Sequence, residues 1–183
     1  MKKTASIIHP VLSLLLATGV ATAFAHPVLD EPVALAGTGY KAALRISHGC
    51  QGAATTAVQV TIPAGFRGAR PMPKAGWGTA IRREPLAKPY SSHGHPITED
   101  VTEITWTAAS RDNALPDSHF DEFVLRGTLP AQAGPMWFKV LQTCEKGELN
   151  WSEIPASGIS TEGLKSPAAL LEVLPGGPAG HSH

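Results

Sequence analysis

The sequence lacks most of the features that would place it in a common functional class. Its 15 lysines and arginines balance 15 aspartates and glutamates, so no basic excess indicates a nucleic-acid partner. Phe, Trp and Tyr make up only 6% of the chain, and no aromatic-rich platform for a polysaccharide is evident. The G-x-S-x-G and H-E-x-x-H motifs and a phosphate-cradling glycine loop are also missing, which removes the usual marks of hydrolases, zinc proteases and nucleotide-binding proteins.

Long apolar runs are scarce too, and the main one has the pattern of an export signal. Two lysines at positions 2 and 3 precede an apolar segment centred on residues 11–21, and a small-residue site, Ala-Phe-Ala, ends at Ala25. The segment is shorter than the roughly 20 residues that a membrane-spanning helix needs. We therefore predict that residues 1–25 are a signal peptide cleaved after Ala25. The product would be a bacterial protein that is periplasmic or secreted and has no stable membrane insertion.

The rest of the chain predicts many short strands rather than helices. It is rich in Gly and Pro, with 18 and 16 in the whole sequence, and short segments alternate apolar and polar residues, which is the period of half-buried strands. In the clearest, Val58, Val60 and Ile62 share one face. The predicted strands are 40–46, 57–62, 101–107, 122–126, 136–142, 148–154 and 170–174. This number of short strands favours one all-β domain over residues 26–174, an antiparallel β-sandwich of the immunoglobulin or cupredoxin kind.

Three segments lie outside this regular spacing. Residues 63–77 are predicted to be an irregular, proline-rich connection, and residues 84–100 a surface excursion. Residues 175–183 are rich in glycine and proline without apolar periodicity, so they are predicted to be a disordered tail. That tail contains His181 and His183.

The chain has two cysteines, Cys50 and Cys144. In an exported protein the simplest interpretation is that they form one disulfide. The chain-entropy model gives a loop of this length about 4 to 5 kcal/mol of stabilisation as an upper value. The alternative is a copper or zinc site that uses both thiolates, which requires a reducing compartment or protected thiols.

His26 is the candidate metal ligand with the clearest chemistry, because cleavage after Ala25 would make it the first residue. Its free amine and its imidazole can chelate one ion together, and nitrogen donors of this kind bind copper(II) most strongly among divalent first-row ions. The amine must lose its proton first, so affinity should fall in acid. Pro27 has no backbone N–H for copper to displace, so further ligands must come from elsewhere in the fold. The alternative is that His26 is merely where processing stops.

A series of short blocks extends in order over nearly the whole of residues 26–174. The blocks are His26, Ile46-Ser47-His48-Gly49-Cys50, Thr55-Thr56, Ile62-Pro63, Pro71 to Trp77, Ile104-Thr105-Trp106, Asp121-Glu122-Phe123, and Gln142 to Glu148 with Trp151. Together they resemble the YcnI-like copper-binding domain family. The resemblance implies an exported β-sandwich that binds one copper(II) through a single-histidine brace at the mature N-terminus, with a carboxylate ligand and a nearby tryptophan.

Carried over to this chain, the resemblance assigns the brace to His26 and the tryptophan to Trp151. An indole serves as an N–H donor or a π surface, so Trp151 would shield the ion; the alternative is a plain core tryptophan. The expected carboxylate position falls near His48, where this chain has no acid. We therefore predict His48 as the remaining ligand, with Asp30 or Glu31 folding back on the ion as alternatives.

The resulting hypothesis is a non-enzymatic periplasmic copper chaperone or buffer. It would exchange copper(II) with a copper-transport membrane protein or a periplasmic metallochaperone. Two alternatives belong to other classes. One is an oxidative copper enzyme of the histidine-brace type, for which His48 would be the second histidine, although a shielding Trp151 would obstruct oxygen. The other is a metal-free extracellular interaction module on the same sandwich.

Overall fold

The computed structural model describes residues 26–176, and in that range the chain is built from β-strands with a single 3-10 turn at Arg111–Asn113. The strands, in chain order, are β1 (Val28–Leu29), β2 (Val33–Leu35), β3 (Gly39–Ile46), β4 (Thr55–Thr61), β5 (Arg67–Pro71), β6 (Trp77–Ser92), β7 (His95–Ala108), β8 (Asp121–Thr128), β9 (Gly134–Cys144), β10 (Glu148–Trp151) and β11 (Ala169–Leu174).

These strands form the two sheets of a sandwich. One sheet has the order β1-β3-β8-β5, and the other has the order β2-β11-β9-β4-β7-β6, with β10 also paired to β9. The strand pairs described here are antiparallel except for β2 with β11, which run parallel. The predicted all-β sandwich is therefore confirmed, with this one parallel pair as a correction to its antiparallel description.

The core lies between the sheets and is made by the inward face of each strand. Val58 and Val60 of β4 are fully buried, as are Trp106 of β7 and Phe123 of β8, from the opposite sheet. The Trp106 and Phe123 rings meet edge to face with their centroids 5.7 Å apart. Burying such a side chain contributes about 1.5 to 3 kcal/mol, so strands with one apolar face are held in register by the core.

All seven predicted strands are present with shifted ends, but both segments predicted to be irregular contain strand. The 63–77 segment includes β5, and the 84–100 segment belongs to a long hairpin of β6 and β7. The hairpin turns at His93 and Gly94, whose φ angles are +49° and +79°. Two consecutive residues with positive φ make the two-residue turn that suits the twist of paired strands. Because β6 is exposed along most of its length, the alternation that reveals a half-buried strand is absent.

The predicted disulfide is confirmed. Cys50 and Cys144 are bonded, with their Cα atoms 5.9 Å apart, and they join the segment after β3 to the end of β9. A disulfide of this kind is typical of a protein that folds in an oxidising compartment. Between residues 26 and 176, no helix is long and apolar enough to cross a membrane. The predicted signal peptide and residues 177–183, with both tail histidines, lie outside the described residues.

Candidate functional site

His26 lies just before β1 and is half-buried. Strand β1 pairs with β3 so that Val28 is opposite Arg45. Pro27 and Leu29 are buried, and because side chains alternate along an extended chain, His26, Val28 and Asp30 lie on the outward face. The sequence of β1 therefore directs the His26 ring away from the core of the sandwich.

A cavity of about 490 Å³ is lined by His26 and by three charged residues, Asp30, Arg45 and Glu172. Asp30 is engaged with Arg45, whose Nη1 lies 3.4 Å from the Asp30 carboxylate. Glu172 is half-buried on β11 and forms no ion pair within the described part of the chain. The cavity thus contains the imidazole of His26 and the carboxylate of Glu172, which is not ion-paired with a cation of the described chain.

Glu172 was not among the residues singled out from the sequence. The sequence does indicate that Glu172 faces outward, because Leu171 and Val173 on either side are apolar, and both are buried in the structure. The sequence does not indicate that Glu172 lies close to the start of the domain. That position depends on the parallel pairing of β11 with β2, which places Glu172 opposite Val33. Pairing between segments so far apart in the chain leaves no local pattern in the sequence.

The two acids predicted as alternatives are held along the chain after β1. The Asp30 backbone N–H donates to the Ala43 carbonyl at 3.0 Å. Glu31 is exposed, and its carbonyl accepts a hydrogen bond from the Tyr40 hydroxyl at 2.6 Å. Asp30 lines the His26 cavity but is paired with Arg45, and Glu31 does not line that cavity.

His48 follows the end of β3 and does not line the His26 cavity. It is half-buried, and its carbonyl accepts a hydrogen bond from the Gln142 side-chain amide at 2.7 Å. The next residue is fixed as well, because the Gly49 N–H donates to Asp117 at 3.0 Å. The backbone at His48 is therefore anchored from both the second sheet and the loop before β8.

Trp151 lies in the core, only 4% exposed, and does not line the His26 cavity. Its indole N–H donates to the Gln142 side-chain oxygen at 3.2 Å, and the Gln142 amide also donates to the Thr55 hydroxyl at 2.8 Å. Each polar group of the Gln142 side chain is therefore used. Trp151 is therefore a core side chain in this structure, and Gln142 connects it to the backbone of His48.

The donor chemistry around His26 fits copper(II). Imidazole and carboxylate are suitable ligands for this ion, and a terminal brace needs only two residues, because His26 would supply two nitrogens and a carboxylate one oxygen. Among residues 26 to 176, no group of three or more His, Cys, Asp or Glu side chains is arranged to hold a metal. A site here would therefore consist of His26 and few other protein ligands.

The fold agrees with that of a solved structure. A crystal structure of an uncharacterized protein from Nocardia farcinica, described as revealing an immunoglobulin-like fold, is similar to this chain with a TM-score of 0.62 and 25% identity, covering 81% of this chain and 97% of that one. The seventh ScaB type I cohesin from Pseudobacteroides cellulosolvens also aligns, with a TM-score of 0.40 and 10% identity over 86% of this chain and 97% of that one.

Sequence comparisons add one match. A family model described as "Domain of unknown function (DUF1775)" matches residues 26–173. None of the curated proteins matches the chain. The matched region begins at His26 and ends within β11, so it contains both His26 and Glu172.

Proposed function

The chain belongs to the DUF1775 family, the family that includes the YcnI-like domains it resembles, and from this premise we propose that it is an exported copper(II)-binding domain. It would hold one ion through His26, using the terminal amine and the imidazole. It would act as a chaperone or buffer that carries the ion and does not turn over a substrate. A copper-transport membrane protein or a periplasmic metallochaperone would exchange copper with it.

The observation that carries this proposal is the shared cavity of His26 and Glu172. A carboxylate without an ion-pair partner is a good oxygen donor for a divalent ion, and Glu172 is in that state among the described residues, whereas Asp30 is paired with Arg45. We therefore propose Glu172 as the carboxylate ligand. His48 is the competing candidate, since it is the ligand favoured by the sequence pattern and lies past the end of β3, the strand that pairs with β1.

The residues after His26 support a brace rather than ligation by successive backbone amides. Pro27 has no N–H to lose, so such ligation is blocked at the first step. Pro27 is also buried, and β1 follows at once. The backbone carrying His26 is therefore fixed, so little ordering entropy has to be lost when the ion binds.

Electron paramagnetic resonance of copper(II) added to protein with a verified His26 terminus tests the brace. The expected spectrum shows coupling to two nitrogens from His26, and adding one alanine before His26 should remove the amine donor and weaken binding by at least about tenfold, the equivalent of 1.4 kcal/mol. Unchanged spectra and affinity in the extended protein would contradict the proposal. Sustained peroxide production with ascorbate, above that of free copper, would favour the enzyme alternative.

Three matched substitutions test the other ligand. Glu172→Gln keeps the size of the side chain and removes its charge, so it should weaken copper binding while the nitrogen coupling stays the same. Asp30→Asn is the control, because it alters a second carboxylate of the same cavity that is paired with Arg45. His48→Ala distinguishes the competing candidate. If it removes one nitrogen coupling and Glu172→Gln has no effect, His48 is the ligand and Glu172 is not.

A further inference from the structure

Three basic residues lie in one row across the smaller sheet. Lys41 of β3 is directly opposite Arg126 of β8, and Arg126 is directly opposite Arg70 of β5. All three are exposed, while their neighbours Ala42, Leu125 and Ala69 are buried. The three cationic side chains therefore lie on the same outward face, on adjacent strands about 4.8 Å apart.

This row is unfavourable for the fold alone. Like charges directly opposite on neighbouring strands destabilise a sheet. In the described part of the chain, the ion pairs use other cations, namely Arg45, Lys74, Arg82 and Arg111, and none includes the row. The repulsion is thus not offset by neighbouring acids, and an anionic ligand would relieve it.

The row borders a cavity of about 770 Å³. Lys41, Arg70 and Arg126 line its floor together with Arg67, and residues 90–93 of the hairpin line another side. The lining residues include no aspartate or glutamate. The cavity lining therefore presents four cations with serine and tyrosine hydroxyls, and the carboxylate of Asp100 lies behind this lining, bonded to Tyr90 and Gly68.

The hairpin wall is fixed relative to this floor. The carboxylate of Asp100, which is only 6% exposed, accepts hydrogen bonds from the Tyr90 hydroxyl at 2.8 Å and from the Gly68 N–H at 2.9 Å. The Arg67 guanidinium lies over the Tyr90 ring, 4.6 Å from its centroid. These contacts order Arg67 before a ligand arrives, which lowers the entropic cost of binding.

We propose that this cavity binds a multivalent oxyanion, a ligand with two or more phosphate or sulfate groups. Arginine presents a planar fork of donors that matches such groups in a bidentate manner, and three of the four cations are arginines. A row of cations on neighbouring strands suits a ligand whose charges are spread along its length. The site lies on the face formed by β3, β8 and β5, and it does not depend on the copper proposal.

Titration calorimetry with tripolyphosphate on the purified protein tests the site. Arg126→Gln and Arg70→Gln should each raise the dissociation constant about tenfold or more, because a hydrogen bond to a charged group contributes about 1.5 to 3 kcal/mol. Lys139→Gln is the control, since Lys139 is an exposed cation on β9 in the other sheet. The thermal midpoint of Arg126→Gln should equal or exceed that of the unaltered protein, because the substitution removes repulsion.

The result that would overturn the proposal is equal loss of affinity in Arg126→Gln and Lys139→Gln, or no loss in either arginine variant. Binding to vesicles that contain phosphatidylglycerol, compared with binding to pure phosphatidylcholine vesicles, decides whether a lipid headgroup can supply the phosphate. Binding of tripolyphosphate supports the site whether or not the protein also binds the vesicles. Hexaglutamate tests whether the site distinguishes phosphate or sulfate groups from carboxylates. If it binds as tightly as tripolyphosphate, the site recognises peptide carboxylates and the proposal for phosphate or sulfate is wrong.

Discussion

Gln142 holds Trp151 and the backbone of His48 together inside the sandwich. Its side-chain oxygen accepts the Trp151 indole N–H at 3.2 Å, and its amide nitrogen donates to the His48 carbonyl at 2.7 Å. Gln142 is only 1% exposed, so these bonds have no competition from water. His48 and Trp151, which the sequence predicted as parts of a copper site, are thus coupled through one buried amide.

Replacing Gln142 with leucine should destabilise the fold strongly. Leucine is of similar size, but it leaves the His48 carbonyl and the Trp151 indole buried without their partner. Each such group costs about 1 to 3 kcal/mol, so we expect the free energy of unfolding to fall by roughly 2 to 4 kcal/mol. Urea unfolding measures it. Gln59→Leu is the control, because Gln59 makes one bond to Glu103 and is half-buried; equal losses in the two variants would contradict this account.

Gly49, next to His48, should tolerate no side chain. A Cβ at Gly49 would lie 1.9 Å from the Ala53 carbonyl oxygen, which is backbone and cannot move aside alone. We expect Gly49→Ala to cost about 2 to 3 kcal/mol in urea unfolding. Gly52 is the matched control in the same loop, because its φ of +89° is unfavourable for alanine but nothing lies within 4 Å of its Cβ. Gly52→Ala should cost about 1 kcal/mol, and a loss as large as that of Gly49→Ala would show that steric contact is not the cause.

The strands that were predicted from the sequence were predictable for one physical reason. Strands such as β4 bury one face, and a shift of one residue would expose Val58 and Val60, so the two-residue period must appear in the sequence. The outer part of the hairpin is different. Strand β6 is exposed along most of its length, so its residues are under no such constraint, and its turn uses His93-Gly94 where Asn-Gly is the familiar signal.

The candidate site was predictable only in part. His26 could be identified because the predicted chemistry needs only that one residue, and because His26 directly follows the predicted signal peptide. Glu172 could not, because it reaches the same cavity through the parallel pairing of β11 with β2. The basic row is similar, since Lys41, Arg70 and Arg126 are far apart in the chain and meet only through strand register.

The stability of the protein should fall in alkaline solution because of its tyrosines. Burial, followed by the charges of Glu31 and Asp30, raises the pKa of Tyr40, and burial with a hydrogen bond to Asp100 raises the pKa of Tyr90. When the folded pKa lies above the unfolded value of about 10, the contribution to stability is complete below pH 10 and is lost as the pH rises above it. We expect a flat free energy of unfolding from about pH 8 to pH 9 and a decline above pH 10.

Single substitutions separate the two tyrosines, which are the only ones in the chain. Tyr90→Phe leaves Tyr40 as the sole tyrosine, so ultraviolet difference absorbance then follows the titration of Tyr40 alone. The Tyr40 hydroxyl should ionise at a higher pH than an exposed tyrosine does. Tyr40→Phe should lose stability at neutral pH, because the bond to the Glu31 carbonyl is gone, but should show a shallower alkaline decline. The same alkaline slope in Tyr40→Phe and the unaltered protein would rule out Tyr40 as its source.

Asp100 should determine how firmly the hairpin is attached to β5. Its carboxylate accepts from the Tyr90 hydroxyl, the Gly68 N–H and the Val101 N–H, and asparagine has only one oxygen to accept them. Asp100→Asn should therefore lower the free energy of unfolding by about 2 to 3 kcal/mol and speed trypsin cleavage after Arg83 of the hairpin.

The control for this substitution is Glu99→Gln, which removes the neighbouring exposed carboxylate and should change the free energy of unfolding by less than about 0.5 kcal/mol. Because Asp100 also orders the wall over Arg67, Asp100→Asn should weaken tripolyphosphate binding even though it removes a negative charge near a cationic cavity. Simple electrostatics predicts the opposite, that loss of the carboxylate tightens anion binding. An increase in affinity would therefore show that Asp100 acts on the cavity through its charge and not by holding the hairpin in place.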